Sequence, residues 1–115
     1  MEILQGDIFW VDLGVPSGSE PGYIRPHIVI QNNIFNKSKI NTVVICALTT
    51  NLNRANSPGN VLLLPGEGNL SKQSVVNVTQ ISTVDKKDLI EKIGSVSSGR
   101  LNEILDGIDL VLKLR

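Results

Sequence analysis

The sequence predicts a mainly β (α+β) fold, a small β-barrel sealed by a C-terminal α-helix. Short runs of β-branched and aromatic residues recur along the first 84 residues, and clusters of Gly, Pro, Asn and Ser separate them. After the last such run, the apolar residues change to a helical period. Five or six strands followed by one helix are typical of a small barrel. A length of 115 residues allows a single domain, which we place at residues 1–115.

The first two predicted strands flank a long loop. Residues 7–13 (DIFWVDL) are rich in aromatic and branched side chains and predict a strand. Residues 14–22 carry Gly, Pro or Ser at most positions and predict a loop. Pro26 disfavours the helical region for Arg25, so the chain continues as a second strand over residues 27–31.

Three further strands are predicted in the middle of the chain. Residues 32–36 indicate a turn or one helical turn before a third strand at residues 42–48. A polar loop at residues 49–58 precedes a short fourth strand at residues 61–64. The longest candidate is residues 74–84, with a moderate alternation of faces. It places Val76, Val78, Gln80 and Ser82 on one face, and Val75, Asn77, Thr79 and Ile81 on the other.

The last segment predicts a helix of about 14 residues. Ser97 or Ser98 can cap its N-terminus with a side-chain oxygen. One apolar stripe follows the helical period, at Leu101, Ile104, Leu105, Ile108 and Leu112. Three acidic residues lie off this stripe, namely Glu103, Asp106 and Asp109.

Charge is unevenly distributed along a chain whose net charge is zero. Residues 1–20 hold four acids and no base, and residues 85–115 hold six of each. Residues 21–84 hold five bases and one acid, which gives this middle segment a net charge of +4. Phosphate binding is mostly electrostatic, so this distribution permits an RNA partner without requiring one.

Composition predicts a cytoplasmic protein with no membrane association. The chain is 41% hydrophobic and 19% charged, its apolar runs are too short to cross a bilayer, and no secretory leader is visible. The single cysteine, Cys46, lies in the apolar run VVICAL, so we expect a buried small hydrophobe. One His and one Cys are too few for a metal cluster, so we expect no cofactor and no metal.

The remaining polar residues suit RNA cleavage better than other hydrolytic chemistry. The sequence has no Gly-rich phosphate loop before a helix and no Gly-x-Ser-x-Gly elbow. In RNA the nucleophile is the ribose 2′-hydroxyl, so the protein needs only charge stabilisation and proton transfer. Arg25, beside the Gly/Pro/Ser loop, can hold two phosphate oxygens, and Thr49 ends an apolar strand where a hydroxyl can face a ligand.

These residues lie in segments that resemble MazF/PemK toxins. The first segments are residues 6–13 (GDIFWVDL), Gly18-Ser19-Glu20 and residues 25–32 (RPHIVIQN). The similarity continues through residues 43–50 (VVICALTT), 74–76 (SVV) and 80–86 (QISTVDK), and into the final helix. It covers nearly the whole chain in order, which makes it more specific than any single motif.

The resemblance implies an SH3-like barrel, a homodimer, sequence-specific cleavage of single-stranded RNA and a cognate acidic-tailed antitoxin. It implies that Arg25 stabilises the transition state, and that Thr49, or else its neighbour Thr50, binds the scissile phosphate. It further implies that Ser19 and Glu20 belong to a loop that gates the groove, and that Gln80 reads bases. The expected products carry a 2′,3′-cyclic phosphate and a 5′-hydroxyl.

The sequence departs from the family pattern at four positions. Pro21 stands where Gln is common, Tyr23 where Gly is common, and Ser82 where a basic residue is frequent. Tyr23 and Ser82 are therefore expected to alter the cleaved motif, Tyr23 either by stacking on a base or by packing on the barrel instead. His27 replaces an apolar residue on the same strand face as Arg25, as a proton-transfer group or as a buried, hydrogen-bonded His.

Two other functions remain open from the sequence. The first alternative is a non-catalytic SH3-like toxin that inhibits a protein target such as a topoisomerase, since fold does not decide function. The second is an RNA-binding barrel that has lost cleavage. The pair of Arg25 and Thr49 favours the endoribonuclease, because a protein inhibitor does not need it.

Overall fold

The computed structural model describes residues 1–14 and 24–113. Six strands form one antiparallel sheet in the spatial order β4-β5-β3-β2-β1-β6. Within the described ranges β4 and β6 are its two edges, so the curled sheet is a half-barrel. The mainly β fold with a C-terminal helix is confirmed. The elements are β1 (Asp7–Asp12), β2 (Ile24–Val29), α1 (Asn33–Asn36), β3 (Thr42–Thr49), β4 (Val61–Leu63), β5 (Ser74–Asp85), β6 (Leu89–Ser95) and α2 (Ser98–Leu112).

The curled sheet buries apolar side chains on both faces. One cluster joins the sheet, including its edge strand β4, to α2, and its members include Ile8, Ile28, Cys46, Leu63, Val78, Ile104 and Ile108. The other cluster lies on the opposite face and includes Phe9, Val11, Val29, Val43 and Ile45. Cys46 is buried as predicted, and burial raises the pKa of its thiol to about 12.

Helix α2 packs on the sheet through the middle of its predicted stripe. The Oγ of Ser97 caps the helix by accepting a hydrogen bond from the backbone N–H of Arg100 at 3.2 Å. Ile104 and Ile108 are buried, whereas Leu112, the last residue of the stripe, is 57% exposed. Leu110 in the same last turn is exposed as well. Among the described residues no helix is long and apolar enough to cross a membrane.

The connection from β2 to β3 is fixed by two buried amides. The Nε2 of Gln31 donates to Asn36 Oδ1 at 2.9 Å and to the Thr42 carbonyl at 3.1 Å. The Nδ2 of Asn36 returns a hydrogen bond to the Gln31 carbonyl at 2.8 Å, across the single helical turn of α1. Because these bonds fix the start of β3 relative to β2, they set the register in which His27 lies opposite Ala47.

The predicted alternation in β5 is wrong, because a bulge interrupts it. Cys46 pairs with Ile81 and Leu48 with Val76, so the single residue between them on β3 faces four residues of β5. Val76, Val78 and Ile81 consequently contact the same apolar cluster. Such a bulge re-aims the side chains that follow it.

The bulge is held in place by Asn60 and Cys46. The Oδ1 of Asn60 accepts from the backbone N–H of Val78 at 2.9 Å, and its Nδ2 donates to the Arg54 carbonyl at 2.9 Å. The thiol of Cys46 donates to the Asn77 carbonyl at 3.0 Å. The backbone groups that leave the strand ladder therefore keep partners, which makes this irregular segment a defined one.

Strand β6 was not predicted from the sequence. It is an edge strand, with Leu89 buried but Ile90 half exposed, so it lacks a clear alternation. Its end is joined to β1 by Asp7, which accepts from the Ser95 hydroxyl at 2.7 Å and lies 3.3 Å from the Lys92 Nζ. Asp7 is buried, so this acid of the GDIFWVDL segment has a structural role.

Candidate functional site

An open cleft of about 550 Å³ lies where β2 begins, β3 ends and the β5 bulge emerges. Six residues singled out from the sequence line this one cleft, although they come from three strands. Its lining consists of Leu13, Arg25, Pro26, His27, Ala47, Leu48, Thr49, Thr50, Ser74, Gln80, Ile81 and Ser82. The fold therefore brings together the predicted residues of the described ranges.

Arg25 and Thr49 line the cleft from two adjacent antiparallel strands, β2 and β3. The paired residues nearest to the cleft are His27 and Ala47, and Arg25 and Thr49 each lie two residues beyond them on their own strand. Side chains two residues apart on a strand share a face, so all four point the same way. Farther from the cleft, the same face carries Val29 and Ile45, which belong to the buried apolar cluster. The cleft is the polar end of an otherwise apolar face.

The hydroxyl of Thr49 is oriented by the chain that follows it. Its Oγ1 accepts a hydrogen bond from the backbone N–H of Asn51 at 3.1 Å. This bond uses a lone pair and leaves the hydroxyl proton available for donation. A half-buried hydroxyl fixed in this way can donate to an anionic oxygen in the cleft.

Arg25 supplies positive charge to the cleft. Its side chain is exposed, and within the described ranges no carboxylate lies within ion-pair distance of it. No acid is present among the described residues that line the cleft. A planar guanidinium in such surroundings can bind two oxygens of one phosphate.

His27 is buried at the floor of the cleft, with 5% of its surface exposed. Its Nδ1 lies 3.2 Å from the Arg25 carbonyl oxygen. Burial lowers the pKa of His27 below its ordinary value of 6.5, and this hydrogen bond offsets only part of the effect. A carbonyl oxygen accepts only, so the neutral ring carries its proton on Nδ1 and keeps a lone pair on Nε2.

The opposite wall of the cleft comes from β5 and the end of β3. Gln80 is the last residue of the bulge and is exposed, and Ser82 pairs with Ile45 of β3 and is exposed as well. Thr50 is the next residue after the strand and is also exposed. These groups can donate and accept hydrogen bonds beside Arg25 and Thr49, which suits the recognition of base edges.

Three predicted site residues, Ser19, Glu20 and Tyr23, lie outside the described residues. The cleft also contains residues to which no role was assigned from the sequence. Ser74 is buried at the start of β5, with its hydroxyl donating to the Lys72 carbonyl at 3.0 Å. Ser74 is the first residue of β5 and Thr49 the last residue of β3, so both hydroxyl residues lie at a strand end beside a polar turn. Among the described residues no group of three or more His, Cys, Asp or Glu side chains could hold a metal.

Comparisons with known proteins all point to the same protein family. Residues 4–112 match the family model described as PemK-like, MazF-like toxin of type II toxin–antitoxin system. The chain is 42% identical over 114 residues to Endoribonuclease MazF6 of Mycobacterium tuberculosis, covering 99% of this chain and 100% of the relative. It is 38% identical over 112 residues to Endoribonuclease MazF of Staphylococcus epidermidis, covering 97% and 92% respectively.

Solved structures show the same fold. One is an endoribonuclease in complex with its cognate antitoxin from a mycobacterial species, with a TM-score of 0.79 and 27% identity. The match covers 97% of this chain and 96% of that one. For the fold alone, MazF from Deinococcus radiodurans matches with a TM-score of 0.76 at 19% identity and 99% coverage of both chains. The chain belongs to the PemK-like, MazF-like toxin family of type II toxin–antitoxin systems.

Proposed function

We propose that the protein is an endoribonuclease toxin that cleaves single-stranded RNA at specific sequences without a metal. The observation that carries this proposal is that Arg25 and Thr49 line the same cleft, whose described lining has no acid. The relatives named as endoribonucleases support cleavage over inhibition of a protein target. The ribose 2′-hydroxyl attacks the adjacent phosphorus, the P–O5′ bond breaks, and the products carry a 2′,3′-cyclic phosphate and a 5′-hydroxyl.

Charge stabilisation is the main task of the protein in this reaction. As the pentacoordinate phosphorus forms, negative charge grows on its non-bridging oxygens, which the Arg25 guanidinium and the Thr49 hydroxyl bind. We also assign to Arg25 the donation of a proton to the leaving 5′-oxygen. The strands β2 and β3 fix the backbone of both residues, and the Asn51 N–H additionally orients the Thr49 hydroxyl before the substrate binds.

His27 is the candidate acceptor of the 2′-hydroxyl proton. Its Nδ1–H is tied to the Arg25 carbonyl, so Nε2 is the ring nitrogen that can act as a base at neutral pH. Cleavage should then fall below the lowered pKa of His27 and be level above it. A pH–rate profile of His27→Val tests this assignment, because the loss of the acid limb is expected for a base. An unchanged profile leaves His27 only its structural contact with the Arg25 backbone.

The choice of the RNA sequence that is cleaved comes from the polar groups around Arg25 and Thr49. Thr50, Gln80 and Ser82 line the cleft, and we assign to them the contacts with bases on either side of the scissile phosphate. Ser19, Glu20 and Tyr23 belong to the same proposed recognition set, on the segment between β1 and β2. Cleavage-site maps of Ser82→Arg and Tyr23→Ala should each differ from that of the wild type.

We further propose a homodimer in the cytoplasm that an acidic-tailed antitoxin holds inactive. A groove that binds phosphates also attracts a carboxylate-rich peptide, which can order itself along the cleft in competition with RNA. Sedimentation at several concentrations tests the dimer. Titration of a synthetic acidic tail with and without a non-cleavable RNA tests the competition, which simultaneous binding of both would refute.

Cleavage in EDTA tests the enzymatic proposal. A long RNA is incubated with the wild type, Arg25→Ala and Thr49→Ala, and the product ends are mapped chemically. We expect metal-free cleavage with 2′,3′-cyclic phosphate ends, and a loss of about 10²–10³ in rate for Arg25→Ala. Cleavage that EDTA abolishes, or that Arg25→Ala leaves unchanged, contradicts the proposal.

A further inference from the structure

A second cavity of about 500 Å³ adjoins the cleft at the start of β2. The two cavities share Arg25, Pro26, Thr50 and Ser74, so they adjoin each other at Arg25, and we call the two together the groove. A volume of this order is typical of sites for small ligands, which span roughly 300–1,000 Å³. The proposed cleavage chemistry assigns nothing to this half of the groove.

One wall of the second cavity is apolar and includes an aromatic ring. Trp10 lies opposite Pro26 in the pairing of β1 with β2, and Ile24 extends the wall at the end of β2. Trp10 is 40% exposed, so most of the indole is held by the sheet while the rest lines the cavity. An aromatic side chain held by a sheet is the platform on which unpaired bases stack.

The other wall is polar and positively charged. Lys72 lies on the turn before β5, next to Ser71, and Asn69 is nearby with its Nδ2 donating to the Ile93 carbonyl at 2.9 Å. Arg25 and Lys72 are the charged residues among the described lining, which has no acid. Glu91 pairs with Trp10 from β6, on the side of β1 away from β2, and does not line the cavity.

We propose that the second cavity is a nucleotide subsite. The base of the nucleotide next to the scissile phosphate stacks on Trp10, and Lys72 binds the adjoining backbone phosphate. This inference rests on the proposed cleavage of RNA. A ring beside a cation matches the alternation of base and phosphate along a single strand. Continuity with Arg25 places this nucleotide directly beside the one that is cleaved.

Trp10 is the only tryptophan of the chain, so its fluorescence reports directly on this cavity. The probe is a short RNA that contains the cleaved sequence with a 2′-deoxy nucleotide at the cleavage point, which prevents attack. A series of such RNAs is shortened by one nucleotide at a time from each end. We expect full-length RNA to quench Trp10 and the removal of one particular nucleotide to abolish the quench. That removal should weaken wild-type binding by roughly 5- to 150-fold, the range expected for one stacked base.

Variants separate stacking from a general loss of affinity. In Trp10→Ala the same truncation should have almost no effect, whereas Trp10→Phe should keep most of the penalty. Lys72→Ala should reduce the slope of log affinity against log salt by about 0.7, the value for one phosphate on a single strand. Lys39→Ala is the matched control, because Lys39 is exposed and lines neither cavity, and it should leave the slope unchanged.

Cleavage of the all-ribose RNA by the same wild-type sample separates the two proposals. Cleavage with no change in Trp10 fluorescence, and equal truncation penalties in wild type and Trp10→Ala, overturns the subsite while leaving the enzyme intact. Failure of the wild type to cleave any RNA refutes the enzymatic proposal instead. If Trp10→Ala binds RNA normally but loses a synthetic acidic antitoxin tail, the cavity is a protein-docking site and the nucleotide subsite is wrong.

Discussion

Two glycines in α2 differ in what surrounds them. A Cβ built on Gly107 overlaps the carbonyl oxygen of Gly59 and lies 3.0 Å from Val78 Cγ1. A Cβ built on Gly99 has the Ser97 Oγ, at 4.0 Å, as its nearest atom. Replacing each glycine by alanine therefore tests how closely the helix approaches the segment that leads to Asn60 and the β5 bulge.

The two substitutions should change stability in opposite directions. Alanine in place of glycine in a helix interior raises the free energy of unfolding by about 0.5–1 kcal/mol, and Gly99, in the first turn of α2, should show at most this gain. At Gly107 the extra methyl group meets backbone, and overpacking costs about 1–3 kcal/mol. We take the upper part of that range because Gly59 has a φ of +79°, which limits how its backbone can adjust. The net loss for Gly107→Ala is then about 1–2 kcal/mol.

Urea unfolding followed by circular dichroism measures both changes. All proteins are compared at one concentration, because association would otherwise alter apparent stability. The urea dependence of the free energy should stay constant while the midpoint moves up for Gly99→Ala and down for Gly107→Ala. The loss at Gly107 corresponds to a fall in Tm of roughly 4–10 °C. A Gly107→Ala protein as stable as Gly99→Ala would refute the close contact between α2 and Gly59.

Three further predictions concern buried groups. Asn60→Ala should lower the free energy of unfolding by about 1–3 kcal/mol in urea, because the Val78 N–H loses its acceptor, whereas exposed Asn53→Ala should have little effect. Cys46 should react with a thiol reagent at pH 7.5 only after unfolding, because burial raises its pKa to about 12; rapid labelling of the native protein would contradict this. The pKa of His27 is lowered, so below pH 6.5 the unfolded chain binds more protons than the folded one. The stability that the neutral His27 contributes should be complete above pH 6.5 and decrease as the pH falls below 6.5. Between pH 7.5 and 5.5 the free energy of unfolding should therefore decrease less in His27→Val than in the wild type.

Much of the fold could be predicted because local patterns and tertiary packing agree. The runs at residues 7–13, 42–48 and 61–64 became strands with ends within one residue of the prediction. The helix cap at Ser97 and the buried positions Ile104 and Ile108 follow directly from spacing. These features depend on neighbours along the chain, which a sequence displays.

Long-range contacts account for what could not be predicted. The β5 bulge depends on Asn60, a residue of another segment that binds the Val78 N–H, and no period along β5 reveals it. Strand β6 is an edge strand whose side chains are largely exposed, so it lacks an alternating pattern. Leu112 fits the helical stripe but is exposed, since periodicity does not say which residues of a stripe find a packing partner.

The candidate site was predicted in its residues but not in its shape. Arg25, His27, Thr49 and Gln80 could be named from residue chemistry and family resemblance. That they line one cleft follows from the register of β2 on β3 and from the bulge. That Ser74 and Trp10 line the groove could not be inferred, because each reaches it only through strand pairing with distant residues.

A double-mutant cycle on Arg25 and Thr49 tests most directly whether the two act together on one phosphate. Single-turnover cleavage of a defined RNA in EDTA is measured for the wild type, Arg25→Ala, Thr49→Val and the double variant. Thr49→Ser, which keeps the hydroxyl, and Arg54→Ala, an exposed arginine outside the cleft, are the matched controls and should remain close to wild type.

We expect each single variant to lose about 10²–10³ in rate. The double variant should lose far less than the product of the two, because groups that stabilise the same transition state act as a unit. Fully additive losses, or wild-type rates in either single variant, would contradict the assignment of Arg25 and Thr49 to one cross-strand site.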